Sequence, residues 1–452
     1  MIVIPRGLAR SFRAVARNCR SDRGGPLPPV LVQVEDGGLT LDCSLGEVSI
    51  AVKVAAETES NERVLVPMSV FDAVEGAAVE LHLNGGKGTA RWSGRDGVKS
   101  LVFDIESCES IVPPTRKALE LHPVKPRILT ALDECRRIAG HDGGRYAFHR
   151  LEVHGKAGTL SATDGKRALI HRGIAWPFTE TLLIPACRVF GVPEIANQHD
   201  VRVGRTQTHF VLAMGPWTIS LAIDTTGRFP DVASVVPRSR SVTRVELDAD
   251  AAADLMGHLR KWPETGEPPE AVTLDTTDGV IVRASSVDSG PLRELRLRTT
   301  TRDGPPVRVA VDREHLACAL MLDCLRLRLI PGKPFVAEGT SRTFLAITLD
   351  DPILASTSMP STLSLLPPSL LRSPDLMKSE SNRRSLSVSA EPVPPPLDPF
   401  VEAEAFCVAL SEAATRLTRL LQCLKSMKRP GRTLEKAFAS LSAIGLAPGG
   451  EG

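Results

Sequence analysis

The sequence predicts an α+β fold of three tandem domains, each running helix, strands, helix, strands. Three observations lead there. The chain has 452 residues, too many for one hydrophobic core. Hairpin signals recur in "VLVQVEDGGLTLDCS" (30–44), "HRLEVHGKAGTLSATD" (149–164) and "EAVTLDTTDGVIVRAS" (270–285), each two alternating runs about a glycine turn. Corresponding landmarks lie about 120 residues apart, too long a period for a solenoid and right for tandem domains.

The opening stretch "RGLARSFRAVARNCR" predicts a helix over 5–20. Arg6, Arg10, Arg13, Arg17 and Arg20 recur at steps of four and three, and Leu8, Phe12, Val15 and Cys19 keep the same steps on the opposite face. Being arginine-rich and acid-free, the stretch also suits an organellar transit peptide. Its place at the head of a repeated domain favours the helix. The second and third copies open with helices over about 125–139 and about 248–262, the former carrying Arg136 and Arg137.

After each hairpin, a strand runs into a short apolar helix: "RVLVPMSVFDAV" (63–74), "TLLIPACRVFGV" (181–192) and "VRVAVDREHLACAL" (307–320). A further hairpin follows in each copy: "VELHLNGGKGTARWSG", "VRVGRTQTHFVLAMG" and "LRLRLIPGKPFVAEG". These elements set domains at 1–120, 121–240 and 241–355. Residues 356–398 are rich in Ser, Pro and Leu without a period, as in a flexible linker. A helical pattern returns over 399–452, with Phe406, Leu410, Ala413, Leu417, Leu420 and Leu424 on one face.

A net charge of +2 means that any nucleic-acid surface must come from local clustering. Nine cysteines without a C-x-x-C pair fit reduced thiols in a cytoplasm. No apolar run approaches the roughly 18 residues that span a membrane. The residues offer no catalytic, metal or cofactor constellation. "NGGKGT" (84–89) leads into a strand where a phosphate loop needs a helix, so it is a hairpin turn. His149 and His154 fall on opposite faces of a strand and make a poor metal pair. Asp164 and Lys166 have no nucleophile beside them, and a surface salt bridge is their expected use. The sequence therefore predicts a protein that is not an enzyme.

Two stretches carry a family resemblance. "SATDGKRALIHR" resembles an Ala-Thr-Asp-Gly-His-Arg-Leu-Ala segment, and "GRFPDVASVVP" (227–237) a Gly-Arg-Phe-Pro-Asp-Tyr segment, of the bacterial DNA polymerase III beta subunit, the sliding clamp. The likeness covers roughly residues 1–350. It departs at Lys166, where the family has His, at Ala168, where it has Leu, and at "RTFLAITLDD" (342–351), which lacks the family's Met-Pro-Met-Arg-Leu end. A cation that the family places after the "SVFDAV" helix is Glu75 here. These departures fit a diverged paralogue.

The resemblance implies a ring of two chains joined head to tail around duplex DNA, in a bacterial cytoplasm and at the nucleoid. It implies sequence-independent DNA binding and a groove taking short peptides from DNA polymerase, the clamp loader and repair proteins. Carried over by position, the groove comprises Phe148, Thr163, Gly165, Lys166, Arg167, Pro230 and Val235. The DNA-facing candidates Arg10, Arg13, Arg17, Arg20, Arg136 and Arg137 rest on helical spacing. Leu363-Ser364-Leu365-Leu366 copies the apolar spacing of the family's partner peptides, making it a candidate occupant of the groove. The alternative is a clamp-like interaction protein that binds clamp partners without encircling DNA.

Overall fold

The computed structural model describes residues 1–20, 25–56, 61–73, 76–106, 119–141, 145–238, 242–262, 270–284, 292–298 and 300–349. The chain divides into Met1–Ser361 and Thr362–Gly452. Glu75, the predicted linker, the predicted helical extension and Leu363–Leu366 lie outside the described residues.

The same element order runs three times. The first copy holds β1 (Ile2–Pro5), α1 (Arg6–Cys19), β2 (Val30–Glu35), β3 (Gly38–Leu45), β4 (Val48–Ala55), β5 (Glu62–Val66), α2 (Met68–Ala73), β6 (Ala78–Asn84), β7 (Lys87–Gly94) and β8 (Gly97–Asp104). The second holds β9 (His122–Val124), α3 (Arg127–Ile138), β10 (Arg150–His154), β11 (Thr159–Thr163), β12 (Arg167–His171), β13 (Thr181–Pro185), α4 (Pro193–Ala196), β14 (Val201–Arg205), β15 (His209–Met214) and β16 (Trp217–Ala222). The third holds β17 (Thr243–Glu246), α5 (Ala249–Lys261), β18 (Ala271–Asp275), β19 (Val280–Ala284), β20 (Arg293–Leu297), β21 (Thr301–Asp303), β22 (Arg308–Asp312), α6 (Arg313–Met321), β23 (Arg326–Leu329), β24 (Phe335–Glu338), β25 (Arg342–Ala346) and β26 (Thr348–Leu349).

Local chemistry explains the elements. Helix α1 buries Ala9, Phe12, Val15, Ala16 and Cys19 and leaves Leu8 half-buried, so its apolar stripe is wider than the predicted one. Helix α5 is capped by Asp248, whose carboxylate accepts from the Ala251 N–H at 2.7 Å. The second copy departs from the predicted short helix after its strand. Pro193 lacks an N–H and disfavours helix at Val192, so a 3-10 turn at Arg188–Gly191 stands apart from the one-turn α4. The "NGGKGT" stretch is the β6–β7 turn, with Gly85 and Gly86 both at positive φ, 54° and 90°.

Among the described residues the strands form four antiparallel sheets, and two of them cross between copies. Strand β4 of the first copy pairs with β16 of the second, Val48 opposite Leu221 and Val52 opposite Trp217, making an eight-stranded sheet. Strand β12 of the second pairs with β25 of the third, Arg167 opposite Ala346 and His171 opposite Arg342, making a nine-stranded sheet. A four-stranded sheet ending in β8 and a five-stranded sheet ending in β20 complete the set. Phe12 of α1 lies against Phe71 of its own copy (6.0 Å between centroids) and Trp217 of the next (6.3 Å), so the core is continuous through the first junction. No helix among the described residues is long and apolar enough to cross a membrane.

Candidate nucleic-acid interface and peptide groove

The polar corner at 163–167 is built by its own side chains. The Asp164 carboxylate accepts from the N–H groups of Lys166 and Arg167, both at 2.8 Å, and from Arg167 Nε at 3.0 Å. Thr163 Oγ1 accepts from Gly165 N at 3.1 Å and donates to the Arg167 carbonyl at 2.7 Å. These bonds satisfy a tight reversal between β11 and β12. Asp164 thus pairs with Arg167 rather than Lys166, because the turn aims Lys166 outward, where it is exposed. Gly165 sits at φ 89°, which favours glycine, and a Cβ there would crowd the Phe148 ring at 3.2 Å.

Phe148, Thr163, Gly165, Lys166 and Arg167 are therefore brought to one corner. Pro230 and Val235 arrive on the segment 227–237, which is seated on β12, β24 and β25. Its Val232, Phe229 and Val236 pack on Ala168, Ile170, Val336 and Leu345. The Lys166 carbonyl accepts from the N–H of Ile347 at 2.9 Å, just past the end of β25. Val235 and Ile347 remain 53% and 42% exposed, unusual for large aliphatics and suited to gripping an apolar anchor. The apolar floor and Ile347 are absent from the sequence-based set; the continuous apolar run Phe344–Ile347, which marks a strand buried on both faces, is the signal that could have found Leu345.

A shifted carboxyl and a cation–π cluster lie beside the corner. On the neighbouring strand β10, burial pushes the Glu152 carboxyl up to about 7, and the nearby Asp231 carboxylate adds to the effect. Arg145 and Arg228 both lie over the ring of Tyr146, 5.5 and 5.6 Å from its centroid. The Arg228 carbonyl accepts from Ala147 N at 2.9 Å, tying the two loops together.

The six predicted DNA-facing arginines differ in availability. Arg10 and Arg17 are exposed, although Arg17 lies 3.6 Å from Asp72. Arg13 is half-buried and ion-paired with Asp72, and burial lowers its pKa, helped by Arg17 and Arg10. Arg20 donates to the Gly25 carbonyl at 2.8 Å. Arg136 and Arg137 share Asp133 at 3.1 and 2.5 Å, the helical i+3 and i+4 positions. Helices α1 and α3 meet at one hollow. A cavity of about 580 Å³ is lined by Ala14 and Asn18 of α1, by Arg136 and Arg137 of α3, and by Arg188, a residue absent from the sequence-based set. Among the described residues, no group of three or more His, Cys, Asp or Glu side chains could hold a metal ion.

No protein-family profile matches the chain, and no curated protein sequence matches it. Solved structures do. The chain is similar to the DNA polymerase III beta subunit of Borrelia burgdorferi (12% identity, TM-score 0.64), the DNA polymerase sliding clamp of Bacillus subtilis (14%, 0.65) and the DNA polymerase III beta subunit of Pseudomonas aeruginosa (19%, 0.61). Each comparison covers 77% of this chain and 99% of the other. At these identities the likeness defines the fold: this chain has the α+β fold of those structures.

Proposed function

We propose that the chain is one half of a ring-shaped sliding DNA clamp, with domains at 1–120, 121–240 and 241–355. It encircles duplex DNA and tethers DNA polymerase, the clamp loader and repair proteins at the bacterial nucleoid, with no chemistry of its own. The observation that carries this reading is the pairing rule of the sheets. At each internal junction, the third strand of one copy's first hairpin set pairs with the last hairpin strand of the next copy: β4 with β16, β12 with β25. Continued once more, the rule pairs β20 with β8, whose outer edges have no partner strand among the described residues. A second chain supplies those edges, and two head-to-tail contacts close the ring.

In this reading Arg10, Arg13, Arg17, Arg20, Arg136 and Arg137 face the duplex, holding phosphates without reading bases. Phe148, Thr163, Gly165, Lys166, Arg167, Pro230 and Val235 receive a short peptide through one or two apolar anchors. Light scattering is expected to give about twice 48.6 kDa. The protein should stay on nicked circular DNA and run off once the circle is cut. A 48.6 kDa particle that binds clamp peptides and ignores DNA topology would support the non-encircling interaction protein instead.

A further inference from the structure

We propose that Arg188, in the second copy, is a phosphate-contacting residue that joins the arginines of α1 and α3 into one strip for the backbone of duplex DNA. The inference rests on the clamp reading above and adds a residue to it. Arg188 is exposed and opens the 3-10 turn that follows β13. It lines two cavities. One, of about 670 Å³, also holds Arg17, Asn18 and Arg20 of the first copy, with Asp72 and Glu106. The other is the 580 Å³ cavity that it shares with Arg136 and Arg137. Arg188 and Asn18 line both cavities, and of the two Arg188 carries the charge.

Its charge is uncommitted, whereas those of the other arginines lining the two cavities are engaged. Arg17 faces Asp72, Arg20 donates to a carbonyl, and Arg136 and Arg137 share Asp133. Among the described residues, Arg188 has no hydrogen-bond or ion-pair partner. A guanidinium already held by a carboxylate must share its donors with an arriving phosphate, whereas a free one offers its whole fork. The backbone beneath it is fixed. Cys187 Sγ donates to the Asn18 carbonyl at 3.4 Å, Val189 and Phe190 are buried, and a Cβ on Gly191 would lie 2.7 Å from Asp133 Oδ1. An exposed cation on a rigid turn suits repeated contact with successive phosphates, which are chemically alike along any duplex.

The test is a salt titration of equilibrium binding between the full-length protein and a fluorescent duplex. Arg188→Ala is compared with the parent and with Arg202→Ala, which removes the same charge from an exposed position on β14. Arg188→Ala is expected to lower the slope of log K against log salt by about 0.9, one phosphate contact, and to weaken binding several-fold at low salt. Arg202→Ala should match the parent. If Arg188→Ala binds like the parent, or if both variants lose the same amount, Arg188 is not a phosphate contact. A parent protein with no salt-dependent binding would overturn the DNA reading together with this residue.

Discussion

Arg150 holds Glu47 with both terminal nitrogens, at 2.7 and 2.5 Å, across 103 residues of chain. Its Nε donates to Asp224 at 3.1 Å, and the Arg150 side chain is only 9% exposed. Burial opposes ionisation of Asp224, yet the Thr226 and Gly227 N–H groups, the Thr226 hydroxyl and Arg150 outweigh it and hold the carboxyl at about 2. One guanidinium therefore braces the junction between the first two copies beside the β4–β16 pairing. Arg150→Ala should cost about 2 kcal/mol in urea unfolding, since it takes the cation away from the partly buried Asp224 carboxylate. Glu47→Gln should cost much less, because Glu47 is half exposed. Equal, small effects would show that the pair does not brace the junction.

Glu152 makes stability depend on pH near neutrality. Its folded pKa of about 7 lies above its ordinary 4.5, so the folded protein favours the protonated acid. The associated stability is fully present below about pH 4.5 and is lost as pH rises through about 7. Glu152→Gln should flatten the profile between pH 5 and 8 and gain roughly 2 kcal/mol at pH 8. Thermal melts of both proteins over that range will check the sign.

Asp224 and Asp275 act in the opposite sense. Both are held at about 2 against an ordinary 3.8, so their contribution is present above pH 3.8 and is lost as pH falls through about 2. At Asp275, burial opposes ionisation, while Thr277, Arg308 and Arg283 outweigh it. Replacing Asp275 by Asn should therefore destabilise at pH 7 and converge on the parent near pH 2, as followed by circular dichroism.

Ring closure through β8 and β20 is open to a direct test. Val98 and Val102 on β8 are 76% and 62% exposed. Charged side chains on an edge strand discourage pairing with another chain. Val98→Lys with Val102→Lys should leave a folded protein of 48.6 kDa in light scattering. A double variant that keeps twice that mass would place the dimer contact elsewhere.

The groove can be probed at its exposed aliphatic wall. Val235→Asp should weaken binding of a fluorescent peptide carrying the Leu-Ser-Leu-Leu sequence of residues 363–366 at least ten-fold, a change of about 1.4 kcal/mol. Folding should survive, because Val235 is 53% exposed. Unchanged affinity in polarisation titrations would remove Val235 from the site.

Much of the architecture and part of the site were legible in the sequence because they are local. The period of Phe12, Val15 and Cys19 marks the buried face of α1, and glycine pairs such as Gly85-Gly86 announce a hairpin wherever they stand. Thr163, Asp164 and Gly165 are consecutive, so their turn chemistry was readable too. Tertiary structure alone decided that Val232 would cover Ala168 and Leu345, that Arg150 would meet Glu47, and that Arg188 would stand between two arginine groups. It also committed Arg13 to Asp72, which spacing along α1 could not reveal. Dihedral preference and hydrophobic period act over a few residues and are written in neighbours. Sheet edges and ion pairs join residues a hundred apart, and which of many compatible edges and charges meet is settled only when the core has packed.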